Sequence, residues 1–320
     1  MEVFLSNRVL IYIFSESVLF VLFIIAVIGS ISIIKGWDFN SSTSKQYALE
    51  KRAYLIILII IFSLVFKIAL MPYFAYTIDS LKALVPGAMC ATGVLESGDF
   101  GKELLFLKLV ILFFIGIWLI INHKDLQATN YPYLKAKFWF FIFIFLLLGF
   151  EFVLDIVYFS TINIQKSAKC CSAIFGVLGD DTLPFGLNIY MLLTLFYLLF
   201  ILNLVLSFQK RYLLLAISSF AFLYISYQTI IHFFGTYIYQ LPTHRCPFCM
   251  LQTEYFYIGY LLWATLFLGV FFGISNLILK ILIKKEILNL YRYSQVFNTI
   301  FVILCSLYPL IYFIKNGVFL

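Results

Sequence analysis

A chain of 320 residues that is 64% hydrophobic and 12% charged, with a mean hydropathy of +1.05, lacks the charged surface of a soluble domain; such a surface takes roughly a quarter of the residues. The formal charge of +7 comes from Lys and Arg scattered between apolar segments rather than from a basic stripe beside stacking aromatics, which argues against a nucleic-acid partner. The partner that this composition demands is a lipid bilayer.

Apolar runs able to cross a hydrocarbon core of about 30 Å recur along the chain. They predict eight transmembrane helices at roughly 9–34, 53–75, 102–121, 137–159, 186–208, 212–236, 254–279 and 295–315. No small-residue cleavage site follows the first run, which therefore reads as an uncleaved helix. The segments are too long and too evenly apolar for the alternating strands of a membrane barrel. The expected fold is an all-α polytopic transmembrane helix bundle, read as a single integral membrane domain over residues 1–320.

The connections sort into two alternating classes. One holds Lys35, Lys45, Lys51 and Arg52, then Lys124, Lys135 and Lys137, then Lys210 and Arg211, then Lys280, Lys284, Lys285 and Arg292. The other, at 76–101, 160–185 and 237–253, mixes a few basic residues with Asp79, Glu96, Asp99, Asp180 and Asp181. The excess of Lys and Arg on the inner side of membrane proteins assigns the first class to the cytoplasm and both termini to the exterior. Tyr73, Tyr76, Tyr255, Tyr257 and Tyr260 fall near span ends, where amphipathic rings settle among lipid headgroups.

Five of the six cysteines fall in the loops that charge assigns to the outside. Cys90 lies between the second and third spans, adjacent Cys170 and Cys171 between the fourth and fifth, and Cys246-Pro-Phe-Cys249 at the mouth of the seventh. Cys305, inside the eighth span, reads as a small buried apolar residue. An exterior or periplasmic location outside a bacterial inner membrane is oxidising and permits disulfides. A Cys-X-X-Cys at a helix N-terminus favours the attacking thiolate, because unpaired N–H groups and the positive dipole end lie beside its first sulfur. Pro247 suits a first helical turn, and His244 and Arg245 would add positive potential. A vicinal Cys170–Cys171 disulfide closes a strained ring, so these two are expected to pair elsewhere or to bind a soft metal. Cys90, with no partner in its own loop, is expected to join Cys170 or Cys171, the remaining thiol exchanging electrons with Cys246 and Cys249, although the spacing leaves the connectivity open. All the chemistry requires Cys90, Cys170, Cys171, Cys246 and Cys249 to lie within reach of one another.

The order of spans over residues 137–279, with a loop cysteine pair, two further spans and then Cys246-Pro-Phe-Cys249, resembles the four-helix core of vitamin K epoxide reductase and of the DsbB-type quinone-linked disulfide oxidoreductases. The stretch Met89 to Lys108, with Cys90-Ala-Thr-Gly-Val-Leu, also resembles the first loop of the epoxide reductase family. The resemblance implies that Cys246 and Cys249 exchange electrons with a quinone, and that Cys170 or Cys171 relays to an external thiol protein. This chain departs from those families in its eight spans, its adjacent loop cysteines and the position of Cys90 ahead of the matched region.

Charged residues inside spans are functional candidates by default. Lys67 lies in the second span, and Glu151 and Asp155 share one face of the fourth. They form either a buried ion pair or a route for protons accompanying quinone reduction or ion passage. Gln228 and His232, four residues apart on the sixth span, either donate to a quinone carbonyl or join neighbouring helices. His123 sits at a helix edge and reads as solvated.

Three functional readings follow. The first is a membrane thiol–disulfide oxidoreductase coupled to quinone. The second is soft-metal transport or extracytoplasmic cofactor maturation, with Cys90, Cys170, Cys171, Cys246, Cys249 and Met250 as ligands for copper supplied by a metal-carrier protein. The third is a structural subunit of a membrane respiratory assembly. Haem attachment is disfavoured, because Met250 rather than His follows the Cys-X-X-Cys.

Overall fold

The computed structural model describes residues 2–39, 43–128, 131–164, 186–242, 244–283 and 290–320. Eight of its helices are long and apolar enough to cross a membrane, and no strand occurs among the described residues. The chain is thus an all-α, multi-pass membrane protein. By packing it divides into two compact units, Met1–Pro86 with Val94–Ala168, and Gly87–Gly93 with Lys169–Leu320. The stretch 137–279 draws one helix from the first unit and the rest from the second.

The first unit contains α1 (Asn7–Gly36), α2 (Ser44–Ser80), α4 (Gly101–Leu126) and α5 (Leu134–Thr161). The short α3 (Ala91–Ser97) runs from the second unit into the first. Helix α2 begins well before the apolar run, because the Thr43 side chain accepts from the Gln46 N–H at 3.4 Å and the residues that follow favour a helix. Lys45, Lys51 and Arg52, expected in a loop, therefore lie in the first turns of α2. Lys137 also departs from expectation. It is fully buried near the start of α5, where it pairs with Asp125 at 2.7 Å and donates to Asn122 at 2.9 Å. Asp125 also accepts from the Tyr133 N–H at 2.8 Å, which closes the turn between α4 and α5. The core of this unit is built from Phe23, Ile60, Ile115, Trp118, Phe138 and Phe141 among others. His123 is exposed, as expected.

The second unit contains α6 (Ile189–Phe208), α7 (Tyr212–Thr229), α9 (Ile258–Ile283) and α10 (Leu290–Asn316). Helix α7 continues through a π-turn at Ile230–Phe234 into α8 (Gly235–Tyr239). The four long helices close a ring in which α6 packs on α7, α7 on α9, α9 on α10 and α10 on α6. Inside it Phe196, Phe222, Phe234 and Phe301 meet edge-on or stacked at 5.2–6.1 Å. Small and polar residues let the backbones approach, as is usual where lipid offers no hydrophobic drive to association. Ser294 donates to the Gly269 carbonyl at 2.8 Å, and a Cβ on Gly273 would collide with Ser219. Cys305 is completely buried in this core.

Candidate functional site

The segment Gly87–Gly93 belongs by packing to the second unit, and it brings Cys90 to the Cys-Pro-Phe-Cys loop. Cys90 Sγ lies 3.4 Å from Cys246 Sγ, and Thr92 Oγ1 lies 3.3 Å from the same sulfur. The sulfurs of Cys90, Cys246 and Cys249 all lie within 4.8 Å of one another. They are 0%, 2% and 4% exposed, so the three thiols are largely buried. At 3.4 Å the first two sulfurs are in contact without being bonded, since a disulfide spans about 2.05 Å. Cys170 and Cys171 lie outside the described residues.

The local structure around Cys246 differs from the expected helix N-terminus. Cys246 is irregular and Pro247 and Phe248 form a bend, Cys249–Leu251 and Thr253–Tyr255 are single 3-10 turns, and α9 starts only at Ile258. The reason is backbone geometry at Phe256 and Tyr257, whose φ values of 54° and 56° are left-handed and interrupt any continuous helix. Pro247 consequently sits in the bend rather than in a first helical turn, and the α9 dipole does not end at the first sulfur.

Tertiary contacts hold the loop instead. The Tyr239 hydroxyl donates to the Cys246 carbonyl and accepts from the Met250 N–H at 3.1 Å. Trp263 of α9 donates through Nε1 to the Pro247 carbonyl at 3.2 Å, and Gln252 donates through Nε2 to the Met89 carbonyl at 3.1 Å. The last bond ties the Cys90 segment to the Cys-X-X-Cys segment. Tyr239 also stacks edge-on against His244 and Tyr255, at 4.3 Å and 4.7 Å. Tyr255, assigned from sequence to a headgroup belt, is thus part of the wall of the thiol site, and burial raises its phenol above the ordinary range.

His244 departs from the expected role of a positive charge. Partial burial lowers its imidazole below the ordinary histidine value, against a smaller opposing pull from Cys90, so the ring is neutral at pH 7. Its Nε2 is buried without a hydrogen-bond partner among the described residues. A neutral imidazole beside thiols accepts a proton rather than adding positive potential. Because its folded-state pKa lies below the unfolded value, the unfolded chain binds the proton more readily. Stability from this group is full above the unfolded value of about 6.5 and is lost as pH falls through and below it. Thermal unfolding followed at pH 7 and pH 5 should show a drop on acidification that is smaller in His244→Gln; equal drops would rule this group out.

A glycine fixes how α9 meets the loop. A Cβ on Gly259 would come within 2.5 Å of Met250 Cγ and 2.9 Å of both Leu251 Cδ2 and the Met250 carbonyl carbon. Gly259→Ala should therefore push the Cys249–Leu251 turn outward, at about 1–3 kcal/mol of overpacking. The check is the rate of Cys249 alkylation by a maleimide, expected to rise; an unchanged rate would mean that the turn absorbs the methyl group.

The remaining candidates separate. Met250 is completely buried beside Cys249. Gln228 lies in the last turn of α7 and His232 in the π-turn, both partly buried and both in the second unit. Glu151 and Asp155 belong to the first unit, in an ion cluster with Lys67. The sequence reading missed three members of that cluster, Tyr12, Glu16 and Lys108, although the rule that singled out Lys67 applies equally to Glu16 and Lys108. It also missed Thr92 and Tyr239, for which the sequence carries no local signal.

No protein-family model matches the chain, and no curated protein or solved structure matches it.

Proposed function

We propose that this protein is a membrane thiol–disulfide oxidoreductase that exchanges electrons between external thiols and a membrane quinone. The observation that carries this reading is the convergence of Cys90, Cys246 and Cys249, with Cys246 in contact with Cys90 and within 4.8 Å of Cys249. A sulfur that can reach two others can close a disulfide with either, which is the requirement for passing a disulfide along a chain. In the direction of thiol oxidation, Cys246 and Cys249 close a disulfide and release two electrons and two protons, which convert quinone to quinol. An external dithiol then attacks the disulfide through a mixed intermediate and leaves oxidised. The resemblance of residues 137–279 to the epoxide reductase and DsbB-type families supports the same reading.

The surroundings suit a quinone. Tyr227 and Trp263, with ring centroids 6.0 Å apart and planes tilted by 45°, offer aromatic faces for a quinone ring, and Trp263 is hydrogen-bonded to the Cys-Pro-Phe-Cys loop. Gln228 and His232 follow on the same helix as donors for a carbonyl oxygen. His244, close enough to Cys90 to feel its charge, is a neutral imidazole that can take up a proton released at the thiol cluster. The charge pattern of the loops supports an inner-membrane setting with both termini and the cysteine loops on the periplasmic or exterior side.

The test uses the purified full chain in detergent with dithiothreitol as donor and a short-chain ubiquinone as acceptor. Quinone loss should be followed by absorbance, and Cys246→Ser and Cys249→Ser should each reduce it to the uncatalysed background. A double variant that keeps the wild-type rate would sink the reading. A second reading, soft-metal binding, is favoured by the same three buried sulfurs lying within 4.8 Å, a spacing that one Cu(I) ion can bridge, with the Met250 thioether next in sequence. Elemental analysis separates the two: stoichiometric copper that disappears from the double variant would establish the metal site.

A further inference from the structure

The first unit holds a second cluster, chemically distinct from the thiols and contributed by four helices. Lys67 on α2 contacts both Glu16 oxygens at 2.6 and 2.7 Å, and Glu151 Oε1 at 3.0 Å. Lys108 on α4 contacts Glu151 Oε1 at 2.5 Å, Asp155 Oδ2 at 2.8 Å and the Tyr12 hydroxyl at 2.7 Å. The Tyr12 hydroxyl in turn lies 3.1 Å from both Glu16 Oε1 and Asp155 Oδ2. Every member is less than a tenth exposed.

Counting charges exposes a deficit. Three carboxylates, Glu16, Glu151 and Asp155, face two ammonium groups, so full ionisation leaves one uncompensated negative charge among apolar helices. The charged groups around Asp155 are Lys108, Glu151, Lys67 and Glu16, all within the cluster, while the Tyr158 hydroxyl one turn away donates to the Val94 carbonyl at 3.0 Å. An isolated buried charge costs several kcal/mol even after relaxation, by order of magnitude, so a site of this kind takes up a proton or a cation instead. Two buried carboxylate oxygens, Glu151 Oε2 and Asp155 Oδ1, have no hydrogen-bond partner among the described residues. Glu151 also lines a small cavity with Tyr12, Glu16, Lys67, Met71 and Lys108.

A metal ion fits this site poorly. Each carboxylate that would ligate it already accepts from an ammonium group at 2.5–3.0 Å, and those ammoniums would repel it. A proton fits. Glu16 is held by Lys67 through both oxygens and Glu151 by both lysines, whereas Asp155 shares only Lys108 and keeps Oδ1 open. We infer that the first unit binds one exchangeable proton among its apolar helices, carried on Asp155 Oδ1 one helical turn from Glu151 Oε2, and so contains a proton-binding site independent of the thiol cluster. The equilibrium is simple: one proton adds to the Asp155 carboxylate, the cluster becomes neutral, and its release restores the single negative charge.

Infrared spectroscopy of the full chain in nanodiscs tests this directly. At neutral pH the wild type should show a carboxylic-acid carbonyl band that shifts when H2O is replaced by D2O. Asp155→Asn, the neutral isostere, should lose that band while retaining the wild-type melting temperature, because it reproduces the protonated state. Glu16→Gln removes a carboxylate already satisfied by Lys67 and abolishes the charge deficit, so it too should lose the acid band, now by allowing Asp155 to ionise against Lys108. Absence of any exchangeable acid band in the wild type would overturn the inference, as would a band unchanged in Asp155→Asn. Stabilisation of the wild type by added Na+ or Mg2+ that is lost in Asp155→Asn would also overturn it, by showing that a metal ion supplies the missing charge.

Discussion

Replacing Lys108 by Met is expected to destabilise the first unit by about 3–5 kcal/mol, the range for removing one partner of a buried ion pair. The size follows from what the ammonium group leaves behind. Lys108 contacts Glu151 at 2.5 Å, Asp155 at 2.8 Å and the Tyr12 hydroxyl at 2.7 Å, and all of these groups are buried. Methionine fills a similar volume, so the loss is electrostatic rather than a cavity. Most of it should return in the double variant Lys108→Met, Glu151→Gln, which removes the stranded charge together with its partner. The pair of Lys102 with Glu96, whose lysine reaches solvent, supplies the control. There the lysine side chain is 64% exposed, and Lys102→Ala should cost less than about 1 kcal/mol. Thermal unfolding of the purified chain in one detergent decides the matter: a Lys108→Met midpoint equal to that of Lys102→Ala would refute burial as the source of the effect.

The two chemical clusters were legible in the sequence to different depths. Eight spans could be read because apolar length is a property of each segment alone, and no helix end moved far except that of α2, where Thr43 and a polar stretch extend the helix ahead of its apolar run. Convergence of Cys90 with Cys246 and Cys249 could be anticipated from loop charge, since their loops belong to the class that the charge rule assigns to one membrane face. The conformation that joins them could not. Phe256 and Tyr257 adopt left-handed backbone angles without the Gly or Asn that would signal them, and the Cys246 loop is held by Tyr239, Trp263 and Gln252, whose partners are fixed only by tertiary packing. His244 illustrates the same limit, because its position beside Arg245 predicts positive charge while its burial removes it. In the ion cluster Lys67, Glu151 and Asp155 stood out as charges in apolar spans. Which lysine meets which carboxylate depends on the packing of α1, α2, α4 and α5, and the open Asp155 oxygen appears only once those pairs are assigned.

Tyr239→Phe tests whether one phenol oxygen sets the geometry of the thiol site. The hydroxyl bridges the two ends of the Cys-Pro-Phe-Cys loop, donating to the Cys246 carbonyl and accepting from the Met250 N–H. Phenylalanine keeps the ring that stacks on His244 and Tyr255, so packing is conserved and the change is confined to hydrogen bonding. The Met250 N–H, completely buried, loses its acceptor, and a buried polar group left without a partner costs about 1–3 kcal/mol. The loop can recover that energy only by turning the N–H toward water, which moves Cys249 away from Cys246 and opens the sulfur cluster. The variant should therefore fold with a lowered melting temperature while Cys246 and Cys249 react faster with a maleimide than in the wild type. Under the proposed function its dithiol-to-quinone rate should fall even though all the cysteines are retained. Unaltered maleimide rates would mean that the bridge is dispensable, and that the contacts of Trp263 and Gln252 alone hold the loop.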